Sequence, residues 1–182
     1  MTEVLKAGRG LELRPLNLRD ARVLFVLVEA NRDRLRRWLP WPDATHHPDD
    51  IRSFIKRVRS QARAGTGLSY GLWCREHLVG VASFTWIDRS NGSAAIGYWL
   101  AQEAEGQGLM TAAVKALLRH GFRTLQLNRI EIRAGVRNHR SRAIPRRLGF
   151  RHEGTLRQVE RLGGRFVDHA VYSLLASEWQ GR

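Results

Sequence analysis

Between Ser93 and Phe122 the chain passes from an apolar run (Ala94, Ala95, Ile96, Gly97, Tyr98, Trp99, Leu100, Ala101) through Glu105-Gly106-Gln107-Gly108 into an amphipathic stretch. Leu109, Ala112, Ala113, Ala116 and Leu117 follow the i, i+3, i+4, i+7, i+8 spacing of one buried helix face. Strand, glycine loop and helix are therefore expected in succession. Glycines allow positive φ and close approach of a ligand, and the first amides of a helix lack internal partners. Such a turn either binds an anion or only reverses the chain, and both readings stand on the G-x-G alone. A dehydrogenase fingerprint needs a third glycine with an acidic residue about 20 positions on, and a Walker loop needs Gly-Lys-Ser/Thr; neither is present.

Around this loop the flanking segments supply strands and helices. Leu11, Leu13 and Leu16 suggest a first strand closed near Pro15, and Asn17-Leu18-Arg19-Asp20 reads as a capped helix start. Asn31 is expected to begin a second, short helix, and Pro48-Asp49-Asp50 a third that runs to about Ala64. Leu68–Arg75, Leu78–Asp88 and Ser93–Leu100 read as strands, joined at Glu76-His77 and at Ser90-Asn91-Gly92. Leu127–Arg133 supplies another, a helix opens at Asn138 and runs toward Leu148, and Arg151–Glu160 with Phe166–Leu175 forms a closing hairpin across Gly163-Gly164. The order gives an α/β sheet with helices on both faces, in a single domain over residues 1–182.

Gly97-Tyr98-Trp99-Leu100-Ala101 followed by Glu105-Gly106-Gln107-Gly108-Leu109-Met110-Thr111 resembles motif A of the GNAT N-acetyltransferases. More narrowly, Tyr98-Trp99-Leu100 and Gly106-Gln107-Gly108-Leu109-Met110 look like the RimJ/RimL branch, which acetylates N-terminal serine or alanine of ribosomal proteins. The resemblance covers nearly the whole chain. It implies a mixed, mostly antiparallel seven-stranded sheet with a V-shaped splay at the cofactor site. It also implies acetyl-CoA as cofactor, with the pyrophosphate on the loop and the pantetheine arm along the strand: Trp99, Leu100, Ala101, Gly106, Gln107, Gly108, Leu109, Met110 and Thr111. Glu105 stands where Gln or Arg is usual, and Met110 where Gly or Ala is usual. A carboxylate repels a pyrophosphate, so Glu105 is expected to point outward.

The chemistry so implied is attack of an amine on a thioester. An α-amino group has a pKa of about 7.7 to 8.0, so modest help deprotonates it, and positioning supplies much of the rest. Many members of the family protonate the leaving thiolate with a tyrosine on the helix after Asn138, but Tyr70, Tyr98 and Tyr172 all lie elsewhere. Asn138 and Ser141 match the Asn-x-x-Ser pattern of the RimL type, which makes Ser141 the proton donor and Asn138 a ligand of pantetheine. The plainer reading has Asn138 capping the helix and Ser141 in its first turn. Pro145 lacks the N–H that would return to the Ser141 carbonyl, so the helix is expected to begin late or to be distorted there.

Glu160 matches a RimL-type carboxylate that holds or deprotonates the acceptor ammonium; alternatively it pairs with an arginine at a strand end. Trp38-Leu39-Pro40-Trp41-Pro42 resembles the substrate-side loop, so Trp38, Leu39, Trp41 and Tyr98 are candidates to wall the acceptor site; the plainer reading has the tryptophans filling a gap between helices and sheet. Arg140, Arg142, Arg146 and Arg147 are candidates for the 3′-phosphate of the coenzyme, Arg146 foremost.

Lysine and arginine number 31 against 17 acidic residues, a formal +14. That balance suits nucleic acid, an acidic protein or a polyanionic cofactor, or else it merely solvates the surface. Cys74 is alone and sits in an apolar strand, so it reads as packing. The adjacent His46 and His47 do not share a helix face, and no metal site is expected. No apolar run approaches bilayer length and no signal peptide is evident, so the expected location is cytoplasmic. The family suggests a homodimer. The acceptor is expected to be the N-terminal amine of a protein, plausibly ribosomal; a small amine (polyamine, aminoglycoside or amino acid) is the alternative within the class, and a non-catalytic basic module that binds ribosome or nucleic acid the alternative outside it.

Overall fold

The computed structural model describes residues 3–8 and 10–181. Twelve elements of regular structure make one sheet with helices on both faces: β1 (Leu5–Gly8), β2 (Leu11–Pro15), α1 (Ala21–Leu35), α2 (Pro48–Ala64), β3 (Leu68–Cys74), β4 (His77–Asp88), β5 (Ser93–Leu100), α3 (Leu109–Arg119), β6 (Arg129–Gly135), α4 (His139–Arg147), β7 (Arg151–Leu162) and β8 (Arg165–Leu175). The order across the sheet is β1-β2-β3-β4-β5-β6-β8-β7, with β5–β6 the one parallel pair. Eight strands stand where seven were expected. The extra one is β1, a four-residue edge strand that pairs antiparallel with β2.

Two cores lie on opposite faces. Leu13, Tyr70, Phe84, Ile96, Ile132 and Tyr172 pack under α3, whose Ala113, Val114 and Leu117 are fully enclosed, as the helical spacing demands. On the other face Leu24 and Val28 of α1 and Ile51 and Ile55 of α2 close over Leu78 and Val81 of β4. Burial of each such aliphatic side chain contributes about 1.5–3 kcal/mol.

Local signals explain most boundaries. Asn17 and Asp20 form a reciprocal capping box over a short 3₁₀ turn that feeds α1. The Asp50 carboxylate accepts the amides of His46 and His47 (2.8 and 2.9 Å), which fixes the start of α2 and holds that carboxyl below its usual pKa. Asp88 accepts from Ser90 and Asn91 and closes the β4–β5 hairpin.

Three expectations change. Asn31 does not start a helix: α1 runs through it without a break, because its buried amide donates to the Leu27 carbonyl (2.9 Å) inside the helix. The β3–β4 turn is Arg75–Glu76, not Glu76–His77, and both residues adopt positive φ (47° and 67°) without the glycine or asparagine that normally marks such a turn. Leu127 is a buried turn residue, and β6 starts two positions later, at Arg129.

The feature that makes the site is the brevity of the parallel pairing. β5 and β6 share rungs only from Ser93↔Arg129 to Ile96↔Ile132, yet β5 continues to Leu100 and β6 to Gly135. Beyond Ile96 the two strands diverge. A bulge in β4 between Phe84 and Trp86 lies directly opposite Ala95 and Ile96, where the divergence begins.

Candidate active site

The slot between the diverging strands is lined from both faces of the sheet. At its β5 end a short 3₁₀ turn (Gln102–Ala104) leads into Gly106 and Gly108, both at φ 75°, a conformation that favours glycine. A Cβ placed on Gly106 would meet nothing within 4 Å, so side chains do not plug the turn. The first bond of α3 runs from the Ala112 amide to the Gly108 carbonyl (3.0 Å), which leaves the amides of Leu109, Met110 and Thr111 without helical partners at the positive end of the dipole. The side chains of Leu109 and Met110 are buried in the core, so these two residues offer only their main chain. An unfilled glycine turn followed by unpartnered amides is the geometry that main-chain ligation of an anion requires.

Glu105 does not point outward. Its carboxylate is clamped between Arg34 of α1 and Arg140 of α4 (2.6 Å to the latter), which neutralises the charge that would repel an anion. Arg34 also donates to the Leu100 carbonyl, and Asn31 Oδ1 accepts the Gln102 amide (2.9 Å). The C-terminal half of α1 therefore anchors both entry points of the loop. Sequence reasoning passed over Arg34 and Asn31 because their partners lie about seventy residues away; the one available hint was that the two share a helix face three positions apart.

Across the slot, Asn138 caps α4: its Oδ1 accepts the Ser141 amide (3.1 Å). The helix is intact from His139 to Arg147, so Pro145 neither delays nor breaks it. Tyr98 instead answers the carbonyl that Pro145 leaves open. Its hydroxyl donates to the Ser141 carbonyl (3.0 Å) and accepts from Ser141 Oγ (3.4 Å), and burial pushes its pKa up to about 12. Tyr98, expected on the acceptor side, thus joins β5 to α4 beside Ser141.

The four arginines of this helix divide. Arg140 is spent on Glu105, Arg142 reaches the Tyr172 hydroxyl and the Val136 carbonyl, and Arg147 donates to Thr111 Oγ1 (2.9 Å). Arg146 is exposed, and no ion pair or hydrogen bond engages its guanidinium among the described residues.

On the opposite face the 38–42 loop spans the mouth of the slot. Trp41 stacks at a tilt on Trp99 of β5 (centroids 6.1 Å apart), while the Trp38 ring lies over Gly135 of β6, where an added Cβ would sit 3.7 Å from it. Arg32 pins the loop by donating to the Pro42 and Thr45 carbonyls. Trp38 is 39 % exposed and Leu39 half-buried, so the loop presents apolar surface and does not only fill a gap.

Gly135 pairs in register with His169 of β8, and His169 Nε2 lies 3.2 Å from Glu160 Oε2. Alternation along β8 sends Tyr172 into the core below α3 and α4 and places His169 on the opposite face, that of Trp38. A bulge in β7 between Leu156 and Glu160 contains Gln158 at φ 50°, whose amide is held by Asp168 (2.7 Å). Glu160 pairs with a histidine, not with an arginine as the plainer sequence reading had it. His169 was missed altogether; the alternation of β8 was the only available signal.

One side of the slot therefore carries amides that suit a diphosphate and a hydroxyl pair, and the other carries a carboxylate–imidazole pair under exposed indole. A family model described as an acetyltransferase (GNAT) domain matches residues 10–151. The chain is 38 % identical over 177 residues to the putative ribosomal N-acetyltransferase YdaF of Bacillus subtilis (strain 168), covering 97 % of each protein. It is 31 % identical to the ribosomal-protein-serine acetyltransferase of Escherichia coli (strain K12), covering 95 % of this chain and 97 % of that one. Among solved structures, that of RimL, a ribosomal L7/L12 alpha-N-protein acetyltransferase in complex with coenzyme A, superposes with a TM-score of 0.92 at 31 % identity, over 95 % of this chain and 98 % of that one.

Proposed function

The chain belongs to the GNAT acetyltransferases, and from that membership we propose that it uses acetyl-CoA to acetylate the N-terminal α-amine of a protein, plausibly a ribosomal one. The observation that supports this most is the two-sided slot: an anion cradle and a hydroxyl donor on the α3/α4 face, an amine-binding carboxylate and an indole-lined mouth on the α1/α2 face. The two reactants enter from opposite faces and meet between the strands.

Acetyl-CoA supplies the acyl thioester. The amides of residues 107–111, with Gly106 and Gly108 granting access, would hold its diphosphate, and Arg146 would be the cation left for the 3′-phosphate. Trp99, Leu100 and Ala101 border the pantetheine arm, and Asn138 keeps its amide nitrogen for it while the oxygen caps α4. Glu160, steadied by His169, would hold the acceptor ammonium or relay its proton through water, and an amine that titrates at about 7.7 to 8.0 is already partly free near neutral pH. Trp38, Leu39 and Trp41 hold the residues behind the amine. Ser141 would give its Oγ–H to the leaving thiolate. Fixing both reactants in the slot is worth several kcal/mol of barrier.

The same reading takes residues 1–182 as one domain, places the protein in the cytoplasm and makes it a homodimer. No described helix is long and apolar enough to cross a membrane, and exposed Leu156, Val159 and Phe166 on the β7–β8 hairpin offer a surface for a second copy. Sedimentation checks the stoichiometry. The acceptor is tested by release of free CoA: peptides with N-terminal serine or alanine should turn over, while spermidine, aminoglycosides and amino acids should not. Preference for a small amine overturns the protein substrate. Absence of micromolar acetyl-CoA binding by calorimetry overturns the enzyme. Ser141→Ala should lower kcat with cofactor affinity nearly unchanged, and Glu160→Gln should raise KM for the amine or shift the pH profile.

A further inference from the structure

Inside a regular helix each carbonyl is answered by the amide four residues on, and a buried carbonyl without a donor is costly. Position 145 is the residue that would answer Ser141, and it is a proline, enclosed within an otherwise regular α4. The carbonyl is not left open. Tyr98 of β5 reaches it across the slot at 3.0 Å, and the same phenol oxygen accepts the Ser141 hydroxyl at 3.4 Å. Every polar atom of Ser141 is thereby fixed: its amide by Asn138, its carbonyl and its Oγ by Tyr98.

We infer that Tyr98 is a positioning residue for Ser141, acting through the main-chain carbonyl that Pro145 keeps free of the helix. The arrangement does two things. It sets the distance between β5 and α4 at the place where the sheet has opened, and it limits the rotation of the Ser141 side chain that a serine at a helix N-terminus would otherwise enjoy. Burial raises the phenol to about 12, so near neutral pH it remains a donor to the carbonyl, and its lone pair receives the Ser141 hydrogen until that hydrogen turns to the leaving thiolate. An amide at position 145 would answer the Ser141 carbonyl for the helix and perform neither task for the site. Tyr98 and Pro145 are thus a matched pair, 47 residues apart in sequence, and neither makes sense without the other.

The inference rests on the reading of Ser141 as proton donor, and the experiment separates the two. Tyr98→Phe should lower kcat roughly 10- to 100-fold, the cost expected of a misplaced group, with the Kd for CoA measured by calorimetry within about twofold of wild type. Ser141→Ala/Tyr98→Phe should be no slower than Ser141→Ala alone, since residues that act as a unit are not additive. Stability supplies a readout independent of turnover. Tyr98→Phe should lower Tm in the natural background by orphaning the Ser141 carbonyl, and should lower it much less in a Pro145→Ala background, where the restored N–H answers that carbonyl. Pro145→Ala alone should reduce kcat without reducing Tm. An unchanged kcat for Ser141→Ala overturns the proton-donor reading and the inference together. A slow Ser141→Ala beside a full-speed Tyr98→Phe, or Tm losses that simply add, overturns the inference alone.

Discussion

Glu153 shows what one carboxylate does for the far half of the sheet. It sits on β7, accepts both guanidinium nitrogens of Arg129 on β6 (2.8 and 2.6 Å) and takes the Ser173 hydroxyl of β8 between them (2.7 Å). The bidentate arginine, with the serine second, holds its carboxyl at about 2. In the unfolded chain a glutamate titrates near 4.3, so its folded pKa is depressed. The stabilisation is therefore complete above about 4.3 and is lost as pH falls through about 2. Because the side chain is more than a third exposed, solvent screening keeps the effect modest. Glu153→Gln should lower Tm at pH 7, with the gap from wild type shrinking as pH falls from about 4.3 toward about 2; a gap independent of pH would show that packing, not charge, is lost. At this scale the sequence spoke clearly for Asn138 and Ser141, whose relation is three residues long. Arg34, His169 and the true place of Glu105 were silent, because each is defined by a partner on another element.

Among the elements, α1 has a double duty. Its first half packs on β4, and its second half, through Asn31 and Arg34, holds the turn after β5. Asn31→Ala removes the acceptor of the Gln102 amide and the donor to the Leu27 carbonyl together. The expected loss is on the order of 1–3 kcal/mol in denaturant unfolding, accompanied by weaker CoA binding in calorimetry because the cradle loses its anchor. Weakened stability with unchanged affinity would separate α1 from the loop. Periodicity made the order of elements legible almost throughout, since each helix face and strand alternation is a local property. Boundaries failed where tertiary contacts override local rules: at Asn31, whose side chain serves a distant loop, and at Arg75–Glu76, where β2 and the β3–β4 pairing hold two ordinary residues at positive φ. β1 escaped notice because four residues at an edge carry too little pattern.

For the molecule as a whole, the excess of +14 acts at a distance. A polyanionic cofactor approaches a surface that attracts it, and salt weakens the attraction: the Debye length falls from about 10 Å at 0.1 M to about 3 Å at 1 M. The Kd for CoA should rise steadily with ionic strength, while a flat response would assign the arginines to solvation alone. The architecture adds a mechanical property. β1 through β5 form one leaf and β6, β8 and β7 another, and among the described residues the strand pairing between them is the four rungs from Ser93–Ile96 to Arg129–Ile132. Any change of angle between the leaves about that spine would open or narrow the far margin by leverage, with Ile96 and Ile132 nearest the fulcrum. Span and grip at the free end would then follow from one angle, without any strand having to bend.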